Sequence, residues 1–219
     1  MGNRKFSDLL AVISATTGEP AGTVGYRARR LRESGQVSSA PDGAATIDDA
    51  IVVLIGCMLP GSGAEAERST PIILQLPLIG CAYSALEKNS QFAWGQALTA
   101  ESLPGVPQNL FDFLRELLSS WGALDATGYV TVTGFRVGGG VGNRFAEAHF
   151  KFIDGDGRDV SGMATFGTGE NRAPDDAPLA RIDRSAYIPA VIFGKIADFF
   201  GAGSEKTAPL DYANIELPV

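Results

Sequence analysis

The sequence is poor in the residues that many enzymes use for nucleophilic or metal chemistry. Its 219 residues include one histidine, His149, and two cysteines, Cys57 and Cys81. The cysteines form no Cys-x-x-Cys pair and have no histidine nearby, which favours two buried thiols in a reducing cytoplasm. Gly-x-Ser-x-Gly, His-Glu-x-x-His and P-loop lysine motifs are also missing. We therefore expect no enzyme activity, no metal and no cofactor.

Long apolar runs are missing as well. The first residues are polar and charged rather than an apolar signal core, and the longest apolar run, 50–59, is far shorter than a membrane span. A hydrophobic fraction of 45% is nevertheless sufficient for a chain of this length to bury a core. These features predict a globular, cytoplasmic protein that does not enter a membrane.

Positive charge is scarce and is concentrated near the start of the chain. The first forty residues hold six basic and three acidic side chains, a net charge of +3, whereas the rest holds 12 basic and 22 acidic side chains, a net charge of −10. The six basic residues are Arg4, Lys5, Arg27, Arg29, Arg30 and Arg32. Clustered cations on an otherwise acidic molecule attract phosphate. This distribution predicts a polyanionic partner that binds at one end.

The arginines belong to a segment that is predicted to be helical. Ser7 is expected to cap a first helix, which Gly18 and Pro20 end, and a second helix follows at once. In the second helix, Val24, Ala28 and Leu31 recur at steps of four and three and so share one buried face. The opposite face is expected to present Tyr26, Arg29 and Arg30.

A turn and a third helix follow the arginine segment. Gly35 is a natural helix end, and Pro41-Asp42-Gly43 predicts a small hairpin over 36–45. Thr46-Ile-Asp-Asp49 resembles a capping box in front of the apolar run 50–59. The expected order is helix, tight turn, arginine-rich helix, hairpin, helix.

This order, with Thr17-Gly-Glu-Pro-Ala-Gly-Thr-Val24 and Ala28-Arg-Arg-Leu-Arg-Glu-Ser-Gly-Gln-Val37, resembles the helix-turn-helix and wing of winged-helix DNA-binding proteins. More loosely, it is similar to small DNA-binding proteins of proteobacterial prophages. The resemblance covers residues 7–59 and implies that the second helix enters the major groove of duplex DNA. It implies DNA contacts by Thr23, Tyr26, Arg27, Arg29 and Arg30, with Val24 and Leu31 holding the helix in place.

The expected wing carries no lysine or arginine. Phosphate contacts would therefore come almost entirely from the arginine helix and from Arg4 and Lys5, which predicts weak binding by one molecule. Pairing of two molecules on two half-sites would offset that weakness. We therefore expect a homo-oligomer, most simply a dimer.

The rest of the chain predicts a second part of α+β class. Residues 61–70 are small and polar and are expected to be a linker between a DNA-binding module, 1–60, and a domain for dimerisation, sensing or partner binding, 71–219. The pattern over 71–106 indicates no particular structure. Pro107 opens an amphipathic helix with Leu110, Leu114, Leu117 and Trp121 on one stripe, and period-two alternation follows. The expected strands are 129–137, 144–153, 158–167 and 179–187, before a last helix from Pro189 to Phe200.

Two short motifs have simpler explanations than ligand binding. Asp154-Gly-Asp-Gly-Arg-Asp159 resembles the start of a calcium loop but lacks the distal glutamate, and a hairpin turn explains it. The glycine run 138–142 is not followed by the helix that phosphate loops require, which favours a flexible connection between strands.

The leading hypothesis is a bacterial or prophage protein that binds duplex DNA in regulation or packaging. Arg29 and Arg30 would contact guanine edges or phosphates, and Tyr26 would make apolar contact. A second hypothesis is a structural or interaction protein whose helical end binds an acidic protein partner. A third is an enzyme that uses His149 with Asp154 or Glu147.

Overall fold

The computed structural model describes residues 4–59, 61–85, 108–127, 130–138, 144–153, 159–167 and 185–201. These ranges contain six α-helices and one five-stranded antiparallel sheet, so the α+β class is confirmed. The elements are α1 (Phe6–Thr17), α2 (Ala21–Glu33), α3 (Ile47–Met58), α4 (Gly63–Leu74), β1 (Leu78–Ala85), α5 (Leu110–Thr127), β2 (Val130–Gly138), β3 (Phe145–Ile153), β4 (Asp159–Phe166), β5 (Ser185–Pro189) and α6 (Ala190–Phe200). None of the described helices is long and apolar enough to cross a membrane.

Some predicted features lie outside the described residues. They are the turn at Asp154, the glycine run after Gly138 and the first part of the strand expected over 179–187.

The first two helices form the predicted bihelical unit. Gly18 ends α1 in the left-handed conformation, with φ of 75°, and its N–H donates to the Ser14 carbonyl at 3.0 Å. The buried face of α2 consists of Val24, Ala28 and Leu31, as the spacing predicted. The prediction that Ser7 caps α1 is wrong, because the helix already begins at Phe6.

The segment between α2 and α3 does not form the predicted hairpin. Its residues 36–45 contain no strand, and Ala44 instead forms a bridge with Lys5, before α1. The reason is Asp49, a buried residue in the first turn of α3 that accepts hydrogen bonds from Ser38, Ser39 and Thr46. These bonds draw the segment onto α3 instead of pairing it with itself. The predicted cap is confirmed, since the Thr46 hydroxyl accepts from the Asp49 N–H.

Residues 61–70, expected to be a linker, are mostly helical. The helix α4 starts with a capping box in which Ser62 and Glu65 bind each other's backbone N–H groups. Pro71 lies inside this helix and has no N–H to donate to the Glu67 carbonyl, a defect that normally breaks a helix. The Gln36 side-chain amide donates to that carbonyl at 2.8 Å in its place. A residue after α2 thus allows α4 to continue through its proline.

The sheet has the strand order β1-β4-β3-β2-β5. The meander β2-β3-β4 was predicted, whereas β1 falls in the region that the pattern did not resolve. On one face, Phe135 and Phe166 contact the helices: Phe135 lies 6.0 Å from Phe193 of α6 and Phe166 lies 5.3 Å from Phe113 of α5, between ring centroids. The other face carries Arg136, Glu147 and other polar residues.

The helices α5 and α6 form a middle layer. They contact the sheet on one side and α1, α3 and α4 on the other. Helix α5 begins at Leu110, where the Asn109 side chain caps the Asp112 N–H at 2.9 Å. Of its predicted stripe, Leu110, Leu114 and Leu117 are buried, whereas Trp121 is partly buried. The buried side chains of α1–α4 and of the sheet belong to one hydrophobic cluster. A single core therefore continues across the expected division at 61–70.

Replacement of Gln36 by Leu is expected to lower the free energy of unfolding by about 1 kcal/mol, since it leaves the Glu67 carbonyl without a donor. In a Pro71→Ala background the helix supplies its own N–H, so the cost of Gln36→Leu is expected to shrink to a few tenths of that value. Urea denaturation of the four proteins of this double-mutant cycle measures the coupling. If Gln36→Leu lowered the free energy of unfolding equally in both backgrounds, Gln36 would not be replacing the N–H donor that Pro71 lacks.

Candidate nucleic-acid interface

The packing of α2 determines which of its side chains reach solvent. Its buried stripe contacts α1, α3 and α4. With 3.6 residues per turn, two separate sets of polar residues remain beside that stripe. One set, Tyr26 and Arg29, faces outward, and the other, Thr23, Arg27 and Arg30, lies along the flank where α2 meets α3 and α4. The residues predicted to contact DNA are therefore not equivalent.

The Arg27 guanidinium group binds backbone carbonyl groups within the fold. Its Nη1 atom lies 2.9, 2.6 and 3.0 Å from the carbonyl oxygens of Gly56, Cys57 and Leu59, and Nη2 donates to Gly61 at 3.0 Å. The last carbonyls of a helix have no helical N–H partner and carry partial negative charge. No basic residue lies in the last turn of α3 itself. Arg27 supplies that missing charge from a neighbouring helix.

Arg30 is also turned towards the helical bundle. It forms an ion pair with Glu67 of α4, and its side chain is only 36% exposed. Thr23 is partly buried on the same flank. The expectation that Arg30 stands on the outward face with Arg29 is therefore wrong, because the neighbouring acidic residue on α4 draws it inward.

Tyr26 and Arg29 form the outward pair. Tyr26 is 47% exposed, and its ring packs against Gly63 at the start of α4, where a Cβ atom would overlap the ring. The Arg29 guanidinium lies 5.8 Å from the centre of the Tyr26 ring and 3.6 Å from the Glu33 carboxylate. This arrangement holds one aromatic ring and one cation, whose side chain is 59% exposed, side by side on the helix surface.

Two glycines beside this pair were missed by the sequence reasoning. Gly22 is exposed and Gly25 is partly exposed, and among the described residues no heavy atom comes within 4 Å of where their Cβ atoms would be. Each costs about 1 kcal/mol relative to alanine in a helix, and no packing requires it. The signal in the sequence is two glycines within an otherwise good helix. Their effect is a bare stretch of backbone next to Tyr26 and Arg29.

Arg4 and Lys5 are held elsewhere. The backbone of this segment pairs with the turn at Gly43, Ala44 and Ala45. The Arg4 guanidinium lies 5.7 Å from the centre of the Phe199 ring of α6. Arg4 thus lies against the last helix, whereas Arg29 lies beside Tyr26 on α2.

Cys57 and His149 lie on other elements, α3 and β3. Burial raises the pKa of the Cys57 thiol to about 12, and the neighbouring Arg27 opposes this shift without overcoming it. His149 lies on the outer face of the sheet, 3.7 Å from Glu147 and 41% exposed, whereas its other suggested partner, Asp154, is not described. Within the described ranges, no group of three or more His, Cys, Asp and Glu residues could hold a metal ion.

Comparison with protein-family models, curated proteins and solved structures gives no match. The likeness to winged-helix proteins therefore depends on the motif of residues 7–59 and on the two helices that it forms. Those helices and their tight turn are present, whereas the wing hairpin is not.

Replacement of Arg27 by Lys is expected to lower the free energy of unfolding by about 2 kcal/mol, because an ammonium group cannot reach four carbonyl oxygens as the guanidinium fork does. The same change at the outward Arg29 is the matched control and is expected to cost less than about 0.5 kcal/mol. Urea denaturation of both variants compares them directly. If the Arg27→Lys variant and the unaltered protein had the same urea midpoint, the hydrogen bonds from Arg27 to these carbonyls would contribute little to stability.

Proposed function

We propose that this protein binds duplex DNA through the outward face of α2, as a bacterial or prophage DNA-binding protein. The observation that supports the proposal most strongly is the outward pair of Tyr26 and Arg29, next to the bare backbone at Gly22 and Gly25. An arginine contacts guanine edges or phosphates, and a tyrosine ring offers apolar contact to base methyl groups. Duplex DNA in a bacterium lies in the cytoplasm, and we therefore propose that the protein is cytoplasmic.

The two glycines favour binding in the groove of a DNA duplex over binding to a flat surface. An α-helix fits the major groove, and its backbone comes closest to the bases where side chains are small. Gly22 and Gly25 lie in the first two turns of α2, the half of a recognition helix that enters the groove. A helix that served only to keep the protein in solution would gain stability from alanine at both positions.

The proposed interface is smaller than the sequence suggested. Arg27 and Arg30 already have partners within the fold, so Arg29 is the principal cation for DNA. Its own partner Glu33 is exposed, and an exposed ion pair of this kind is worth less than about 1 kcal/mol, so phosphate can displace it. Binding by one molecule would be weak, which makes pairing of two molecules on neighbouring half-sites part of the proposal.

Replacement of Arg29 by Ala is expected to weaken binding to random 30-base-pair duplex DNA by roughly tenfold. Arg115→Ala is the matched control, because Arg115 also stands on a helix surface, is 55% exposed, and has an aromatic ring and a carboxylate beside it. Fluorescence anisotropy at 50 mM and 200 mM salt measures affinity for each protein, with a steep loss at higher salt expected for phosphate contacts.

Equal affinities of the Arg29→Ala and Arg115→Ala proteins would contradict the proposal. Affinity for DNA that does not change with salt would also contradict it, and would favour the second hypothesis of an acidic protein partner.

A further inference from the structure

Two further arginines lie beside the outward face of α2. Arg32 is partly exposed near the carboxyl end of α2, and Arg68 is exposed on α4. Within the described ranges, neither side chain makes a hydrogen bond or an ion pair, in contrast to Arg29 and Arg30. A cation without an internal partner gives up no contact when it binds an anion.

Arg32 lies on the flank of α2 that is turned away from α4. Successive residues of an α-helix are about 100° apart, so Arg32 lies about 200° round the helix axis from Arg30. Arg30 is turned towards α4, where it pairs with Glu67. The Arg32 side chain therefore begins on the opposite side of α2, which is also the side of Gly25.

Helix α4 runs beside α2 in the same direction. Tyr26 of α2 contacts Gly63 of α4, and one turn later in both helices Arg30 pairs with Glu67. Arg68 follows Glu67 directly and is therefore at the same level as the last turns of α2. The side of α2 opposite Arg32 is thus bordered by the helix that carries Arg68.

Arg68 points to the same side of the molecule as Tyr26 and Arg29. The buried stripe of α4 consists of Ala66, Thr70 and Ile73, and Arg68 lies about 200° from Ala66, almost opposite that stripe. The buried stripes of both helices pack on α3. The outward sides of α2 and α4 therefore form one continuous surface, with Arg32 at one border and Arg68 at the other.

The charge of α2 and α4 together is opposite in sign to that of the chain. The two helices hold five arginines and three glutamates, a net charge of +2, on a chain with a net charge of −7. Glu19, before α2, lies at the other end of that helix from Arg32, about 20 Å away along the axis. The three glutamates are already bound: Glu33 lies beside Arg29, Glu67 pairs with Arg30, and Glu65 accepts from the Ser62 N–H. Arg32 and Arg68 are therefore cations that these carboxylates do not neutralise.

We infer that Arg32 and Arg68 bind the two phosphate backbones that border the major groove, while Tyr26 and Arg29 face the bases. This inference rests on the proposed binding of duplex DNA by α2. A helix in the major groove has one backbone on each side, and contacts to phosphates fix its position without reading the sequence. Packed helices lie about 8–10 Å apart and the groove is about 12 Å wide, so α4 lies over one backbone when α2 occupies the groove.

Helix α4 thus provides the flanking contact that the sequence suggested for a wing. The segment expected to form that wing, 36–45, holds no lysine or arginine and forms no hairpin. Residues 61–70, expected to be a linker, supply the cation instead.

The test is fluorescence anisotropy of the full chain with two 30-base-pair duplexes, one rich in A·T pairs and one rich in G·C pairs, between 50 and 200 mM salt. Arg32→Gln and Arg68→Gln are each expected to weaken binding roughly three- to tenfold at 50 mM salt, by the same factor for both duplexes. Each is also expected to reduce the slope of log affinity against log salt concentration by about one, and the double variant by about two.

Lys195→Gln is the matched control for the lost positive charge. Lys195 is also exposed on a helix, but that helix is α6, which packs against α1, α5 and the sheet. Its replacement is expected to leave the salt slope unchanged. Circular dichroism of each variant verifies folding.

An unchanged slope in either arginine variant would overturn the inference, and so would an equal change in Lys195→Gln. Losses that differ between the two duplexes would also overturn it, because they would assign these arginines to bases instead of phosphates. If Arg29→Ala weakens duplex binding while Arg32→Gln and Arg68→Gln do not, the duplex site stands and this inference alone fails. If the unaltered protein binds neither duplex, the function proposed for α2 is rejected together with it.

Discussion

The placement of α2 depends on one charged group, the guanidinium of Arg27 at the carboxyl end of α3. The last carbonyls of α3 lie in a largely buried region and have no helical N–H partners, so leaving them without donors would cost the free energy of their lost hydration. Once Arg27 points at them, the rotation of α2 about its axis is set. Because successive helical residues are about 100° apart, Tyr26 and Arg29 must then point away from α3. The exposed surface of α2 is thus a consequence of an internal bond.

A second hydrogen bond from a distant side chain connects α4 to the segment after α2. Gln36 supplies the hydrogen bond that Pro71 cannot make, and Gly63, the first residue of α4, accommodates the Tyr26 ring. These contacts tie α2 and α4 together along their length, with Arg30 and Glu67 between them. The helical layers then separate α2 from the outer face of the sheet.

The sequence predicted those parts of the fold that local periodicity determines. The stripes of α2 and α5 and the alternation of β2, β3 and β4 follow from spacing alone, and Thr46 was recognisable as a cap. Helix α4 was missed because its glycine-rich, polar start and internal proline resemble a linker, and the compensating donor, Gln36, lies 31 residues from the carbonyl it serves. The arginines could be identified as a group but not separated by role. Their separation depends on where the end of α3 and the Glu67 carboxylate lie in space.

The central claim is that the outward face of α2, set by Arg27, is the surface that meets duplex DNA. Titration of the isotopically labelled protein with a 12-base-pair duplex, followed by amide chemical shifts in NMR spectra, tests it most directly. We expect the largest shifts at Gly22, Gly25, Tyr26 and Arg29, with small changes along β2 and β5. Shifts that leave α2 unchanged, or that centre on the sheet, would contradict the account.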